Sequence, residues 1–144
     1  MAERTINDII AGQKLLTAPG SMTVAEAARQ MKQRNVGAMM VVDNGRLVGV
    51  FTERDALFRV VAAGIDSKTT PLSVVMTANP KCITPDQSFA HALAVMHDGR
   101  FRHLPVVKDG WPIGMLSVRD ALGPELEAFV YELLRQEQVS QILA

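Results

Sequence analysis

Gly49-Val50-Phe51-Thr52-Glu53-Arg54-Asp55 returns later in the chain as Gly114-Met115-Leu116-Ser117-Val118-Arg119-Asp120, and this doubled string decides the fold. Working outward at a constant offset of 65 residues, the two stretches align without a gap back to Thr23 and Ser88 and forward to Leu57 and Leu122. Ala25, Ala27 and Met31 fall on Ala90, Ala92 and Met96, and Val41, Val42 and Gly45 fall on Val106, Val107 and Gly110. A long period with only two copies does not describe a solenoid. It describes two similar subdomains packed about a pseudo-twofold axis.

Each copy predicts a β-α-β-β-α unit. A helix starts at Thr23, where Thr23 and Glu26 have capping-box spacing, and Val24, Ala27, Ala28 and Met31 keep one apolar face. Phe89, Ala92, Leu93 and Met96 repeat that face. The apolar runs Ala38–Val42 and Leu47–Phe51 flank Asn44-Gly45, a hairpin signal repeated at Asp109-Gly110. A second helix is expected from near Thr52 to about Ala63, stopped by Gly64. Short strands are expected ahead of the first helices, at Leu15–Ala18 and Lys81–Thr84. Residues 66–73, polar and carrying Pro71, read as the linker. A tail helix follows Gly123, with Pro124 in its first turn and Leu126, Phe129, Val130, Leu133 and Leu134 in one stripe. That stripe either closes the core or serves self-association. The resulting division is 9–66, 74–123 and a C-terminal helix over 124–144.

Composition narrows the function. The 144 residues carry 15 Lys+Arg against 15 Asp+Glu, which argues against a partner held by a broad basic face, such as nucleic acid. A hydrophobic share of 48% is too high for a disordered chain. No apolar run is long enough to span a bilayer, and Met1–Gln13 lacks a signal-peptide core, so a cytoplasmic location is expected. The single cysteine, Cys82, excludes an intrachain disulfide and reads as a small core residue. The methionines read as core, and Trp111, after a hairpin turn, as partly exposed. His91, His97 and His103 have no metal-site spacing. There is no Gly-x-Gly-x-x-Gly, no Walker-type Gly-Lys-Thr and no nucleophile with a visible base, so no catalysis is expected.

The repeated string sits where a strand ends and a helix begins, a place where unsatisfied N–H groups favour anions. Thr52 and Ser117 can offer a hydroxyl to a phosphate oxygen. Asp55 and Asp120 can accept two hydrogen bonds from vicinal hydroxyls such as those of ribose. Arg54 and Arg119 add positive charge. The same Thr/Ser-x-x-Asp pattern is also an ordinary helix start, and chemistry alone leaves both readings open. Arg102 and His103 stand at the mouth of a buried strand, whereas their counterparts, Gly37 and Ala38, are neutral. A cleft shared by the halves is therefore electrically lopsided, and phosphate recognition leans on the second half.

The paired Gly-x-x-Ser/Thr-x-Arg-Asp segments, together with Arg102-His103-Leu104-Pro105-Val106-Val107, resemble those of a CBS-domain pair, and especially the small stand-alone bacterial members. The resemblance runs from about Ile9 to Leu122. It implies an α+β fold of two β-α-β-β-α halves, with two pseudo-equivalent clefts for adenosine-containing ligands: AMP, ADP, ATP, NAD(H) or S-adenosylmethionine. Asp55 and Asp120 would each hold a ribose. Thr52 and Ser117 would meet phosphate oxygens, beside Arg54 and Arg119, with Arg102 and His103 as the basic pair. The Asp55 cleft would borrow Pro80, Lys81 and Ile83. The Asp120 cleft would borrow Leu15, Leu16 and Ala18 for the adenine face. The resemblance also implies homodimers, and a regulatory module that signals to a partner protein without catalysis. An interaction scaffold with vacant clefts is the competing expectation.

Overall fold

The computed structural model describes residues 4–143. Both hairpins form as the turn chemistry requires. Asn44 and Gly45 have φ of 53° and 76°, and Asp109 and Gly110 have 54° and 83°, the positive pairs of type I′ turns. Strand β2 (Ala38–Asp43) thus pairs antiparallel with β3 (Arg46–Thr52), setting Ala38 opposite Thr52. In the second copy β5 (His103–Lys108) pairs with β6 (Trp111–Ser117), setting His103 opposite Ser117. The two turns meet: Trp111 lies over Gly45, where any side chain would collide with its ring, and Leu47 N–H donates to the Gly110 carbonyl at 3.3 Å.

Helix α1 spans Ile6–Ile10, β1 is Thr17–Ala18, α2 is Val24–Arg34, and α3 is a single turn, Glu53–Asp55, continuing in a wider π-helical segment, Ala56–Val61. Then come α4 (Leu72–Val75), β4 (Thr77–Ala78), α5 (Phe89–Gly99) and, after β6, a 3-10 turn (Val118–Asp120) and α6 (Gly123–Leu143). The first sheet has the order β1-β2-β3-β4, with β1 parallel to β2 and the other pairs antiparallel; the second holds only β5 and β6.

The two cores exchange their leading helices. Leu72 and Val75 of α4 pack with Val24, Ala27, Met39 and Phe51 of the first half. Ile6 and Ile10 of α1 pack with Phe89, Leu93, Met96 and Leu104 of the second. Burial of these side chains, each contributing about 1.5–3 kcal/mol, ties each half to the other's leader.

Several sequence expectations change. Lys81–Thr84 is no strand: Ile83 makes one bridge to Val106, after which the Gln87 side chain takes Thr84 N–H and Pro85 offers none. Leu15–Ala18 shortens to the two residues of β1. The capping box at Thr23 is half made, because Glu26 turns to Arg29 and Gln30 instead of the cap backbone. The linker read as 66–73 runs into α4, whose first residues it includes. Cys82 is exposed, not core, since the segment that carries it lies along the sheet by one bridge only. The α6 stripe does not close the core as a whole: Phe129 packs on the second core, while Leu126, Val130 and Leu134 are exposed. Met31, Met39, Met40 and Met96 are buried, and Trp111 is about half exposed at 54%.

Candidate functional site

Both copies of the string leave the strand through a turn capped by the aspartate carboxylate. Asp55 Oδ2 accepts the Thr52 N–H at 3.0 Å, and Thr52 Oγ1 accepts the Asp55 N–H at 3.1 Å. In the second copy Asp120 Oδ2 accepts the Ser117 N–H at 2.7 Å, and Ser117 Oγ accepts the Arg119 N–H at 3.2 Å. Each aspartate is therefore a cap. What separates them is the rest of the carboxylate.

Asp55 is buried, and both of its oxygens have polar partners. The Thr77 hydroxyl lies 3.3 and 3.4 Å from its two oxygens, and Arg59 Nε stands 3.6 Å from Oδ1. Asp120 is half-buried, and among the described residues its Oδ1 accepts no hydrogen bond. The repeat register explains the difference. Gly12 occupies the position that corresponds to Thr77, and Pro124 the position that corresponds to Arg59. Glycine supplies no hydroxyl. Proline supplies no cation and cannot sit inside a continuing helix, so the second copy stops after its 3-10 turn and restarts as α6. The second helix expected of that copy is thus replaced by a short turn, and Asp120 keeps a free face.

That free face opens on a cleft of about 760 Å³ between the halves. From the second half it is lined by Arg102, His103, Met115, Ser117, Arg119 and Asp120, and from the first by Leu15, Leu16, Met40, Gly37, Ala38 and Glu53. The β5–β6 register places His103 directly opposite Ser117. Burial holds the His103 imidazole below the usual histidine range; Arg119 and Arg102 act in the same sense, against Glu53 and Asp120. Gln13 clips the exposed edge of β6 inside the cleft: its side-chain amide donates to the Met115 carbonyl at 2.9 Å and accepts the Met115 N–H at 3.0 Å. The arrangement offers an apolar slot, an unsaturated carboxylate and a cationic end. No group of three or more His, Cys, Asp or Glu able to hold a metal occurs among the described residues.

Of the residues singled out from sequence, Leu15, Leu16, Arg102, His103, Ser117, Arg119 and Asp120 line this one cleft. The others do not. Ala18 is buried in the first core and Ile83 in the second, because both point inward from their bridges to the sheets. Thr52 and Asp55 form the closed cap described above, and Arg54 is exposed over the Phe58 ring, 5.4 Å from its centroid. Lys81 is exposed and Pro80 half-buried, and neither lines the cleft. Sequence reading missed Gln13, Lys14, Lys32, Arg34 and Glu53, all of which line it. Lys14 adjoins Leu15 and so was within reach of the same exchange argument. Lys32 and Arg34 carried no signal beyond their place in the last turn of a helix.

A family model described as CBS domain matches the chain twice, over residues 6–62 and 72–124. Among curated relatives, the CBS domain-containing protein CBSCBSPB5 of Arabidopsis thaliana is 42% identical over 110 residues, covering 76% of this chain and 20% of its own length. The chain therefore spans about a fifth of that relative. Among solved structures, a CBS-domain containing protein from Agrobacterium tumefaciens superposes with a TM-score of 0.73 at 31% identity, over 81% of this chain and 89% of its own. A CBS domain protein from Pyrobaculum aerophilum complexed with AMP gives 0.75 at 25% identity, over 85% and 95%. No helix among the described residues is long and apolar enough to cross a membrane.

Proposed function

The chain belongs to the CBS-domain family, and from that premise we propose that it is a non-catalytic regulatory module that binds an adenosine-containing nucleotide in the Asp120 cleft alone. The observation that carries the reading is the asymmetry of the two aspartates. Of the two, Asp120 has an oxygen that accepts no hydrogen bond among the described residues, and it lines the cleft that gathers Ser117, Arg102, His103 and Arg119 against Leu15 and Leu16. In this reading the ribose hydroxyls donate to Asp120, the phosphate faces Ser117 and the basic side chains, and the base lies in the apolar slot. The AMP complex of the Pyrobaculum aerophilum protein supports the ligand class.

The signal follows from the connections of the site. The cleft is walled by both halves, so a ligand bridges them. The Asp120 carbonyl accepts from Arg4 at 2.7 Å, and the same guanidinium holds Glu125 in the first turn of α6, with Nε at 3.2 Å. Occupation of the Asp120 turn thus biases both α1, which follows Arg4, and α6. Such coupling requires that the ligand bind one arrangement better than another. The exposed residues Val130 and Leu134 on α6 are the surface by which two copies would pair, which carries the change to the partner copy.

Calorimetric titration with AMP, ATP and NADH tests the reading. Binding with one site per chain is expected for at least one of them. Two equivalent sites would refute the single-cleft assignment, and no binding by any of them would favour the scaffold with vacant clefts.

A further inference from the structure

The two halves finish the edge of their hairpins differently. In the first half the edge of β3 away from β2 is covered by main chain, Val50 pairing with Thr77 and Gly49 with Ala78. At the repeat offset Met115 falls on Val50, Gly12 on Thr77 and Gln13 on Ala78. Yet no third strand joins β5 and β6 among the described residues. Gly12, at φ 76°, turns the chain away from the extended course that β4 follows. The Gln13 side-chain amide takes both Met115 main-chain groups instead, at 2.9 and 3.0 Å. A primary amide carries the donor and acceptor of a peptide group, so one side chain does for β6 what a strand does for β3. Directly afterwards the chain is held by the first half. The Lys14 carbonyl accepts from Arg34 at 2.6 Å, and the Leu16 carbonyl accepts the Met40 N–H at 3.1 Å. Gln13 is thus the point where the segment carrying Leu15 and Leu16 leaves the second half for the first.

We propose that Gln13 is a positioning residue for the nucleotide: its amide fixes the spacing between the apolar slot on the first half and the Asp120 turn on the second. The inference rests on the nucleotide reading above and adds a residue to which that reading gives no part. Leu15 lies two residues beyond Gln13, and Ser117 two residues beyond Met115, so each is within about 7 Å of the clip along the chain. The clip is therefore a short link between the side chains that would seat the base and the turn that would hold the ribose. With the clip made, the two walls are spaced before the ligand arrives. Without it, binding must first bring them to that spacing, and affinity falls by the cost. Two hydrogen bonds made by an exposed side chain correspond to about fivefold to tenfold in Kd.

Titration calorimetry of the full chain with AMP, ATP and NADH, on wild type, Gln13→Met, Leu15→Ala and the double variant, tests this. Gln13→Met keeps the length of the side chain and removes the amide donor and acceptor. It should weaken every nucleotide that wild type binds by about fivefold to tenfold. Tm should fall by no more than about 5 °C, because Gln13 is exposed and outside both cores. In Leu15→Ala, where the slot has lost one wall, Gln13→Met should cost less than about twofold further, since both act on the same contact. Competition at high nucleotide concentration keeps the weaker variants measurable. Hydrogen exchange at the Met115 N–H should quicken in Gln13→Met. Unchanged affinity in Gln13→Met, losses that multiply in the double variant, or unchanged exchange at Met115 overturns the positioning role and leaves the nucleotide reading standing. Failure of all three nucleotides to bind wild type overturns both.

Discussion

Replacing the two aspartates separately should dissociate binding from stability. In Asp120→Ala the lost acceptor is a cap, Oδ2 at 2.7 Å from the Ser117 nitrogen, and the lost Oδ1 has no protein partner among the described residues. Loss of such a cap costs about 0.5–2 kcal/mol, a fall in Tm of a few degrees at roughly 2–4 °C per kcal/mol. Loss of a charged acceptor for ribose hydroxyls costs about 1.5–3 kcal/mol of binding, or roughly 10- to 150-fold in Kd. In Asp55→Ala the losses are reversed. Its carboxylate is buried at 7% exposure and serves the Thr52 N–H and the Thr77 hydroxyl. Leaving two such groups without an acceptor costs about 2–5 kcal/mol, a Tm lower by roughly 5–15 °C, while nucleotide affinity stays within about twofold. Scanning calorimetry gives the first number, and titration calorimetry at 15 °C, run once circular dichroism has confirmed that each variant is folded, gives the second. Equal loss of affinity in folded Asp55→Ala and Asp120→Ala would refute the reasoning, since a closed carboxylate cannot hold a ribose.

Three further outcomes are expected. The folded His103 value lies below its unfolded one, so its contribution to stability is fully present above the ordinary histidine value of about 6.5 and is lost as pH falls through the folded value. NMR titration should show a midpoint below about 6.5 for the free protein and an upward move on adding AMP; a midpoint that AMP leaves in place would remove His103 from the phosphate site. A Cβ at Gly114 would stand 2.6 Å from Ile10 Cγ2, so Gly114→Ala should destabilise by about 1–3 kcal/mol, with much of that restored in Gly114→Ala/Ile10→Ala; additive losses in chemical denaturation would contradict the exchanged-helix packing. Val130→Glu/Leu134→Glu should shift the chain from dimer to monomer in sedimentation without lowering Tm, and an unchanged sedimentation coefficient would assign pairing to another surface.

The parts of the fold that were legible in the sequence are local or repeated. Asn44-Gly45 and Asp109-Gly110 force their turns, and the turns fix the strand registers that face His103 to Ser117. The exchange of α1 and α4 between the cores was not legible, because Ile6 and Leu72 are apolar residues with no mark of which half they serve. The candidate site was half legible for the same reason. The repeat made Asp55 and Asp120 look equivalent, and their neighbours made them different. Thr77 reaches Asp55 from β4, a strand with no periodic signal, so that closure depends on tertiary contact. The break at Pro124 was in plain view, in register with Arg59, and it accounts for the open carboxylate.

A crystal structure of the chain grown in saturating nucleotide tests the central claim most directly. The account predicts one nucleotide per chain, its ribose hydroxyls on the Asp120 carboxylate, and no ligand at Asp55. A ribose seated at Asp55, or a nucleotide held elsewhere with Asp120 facing only solvent, would contradict it.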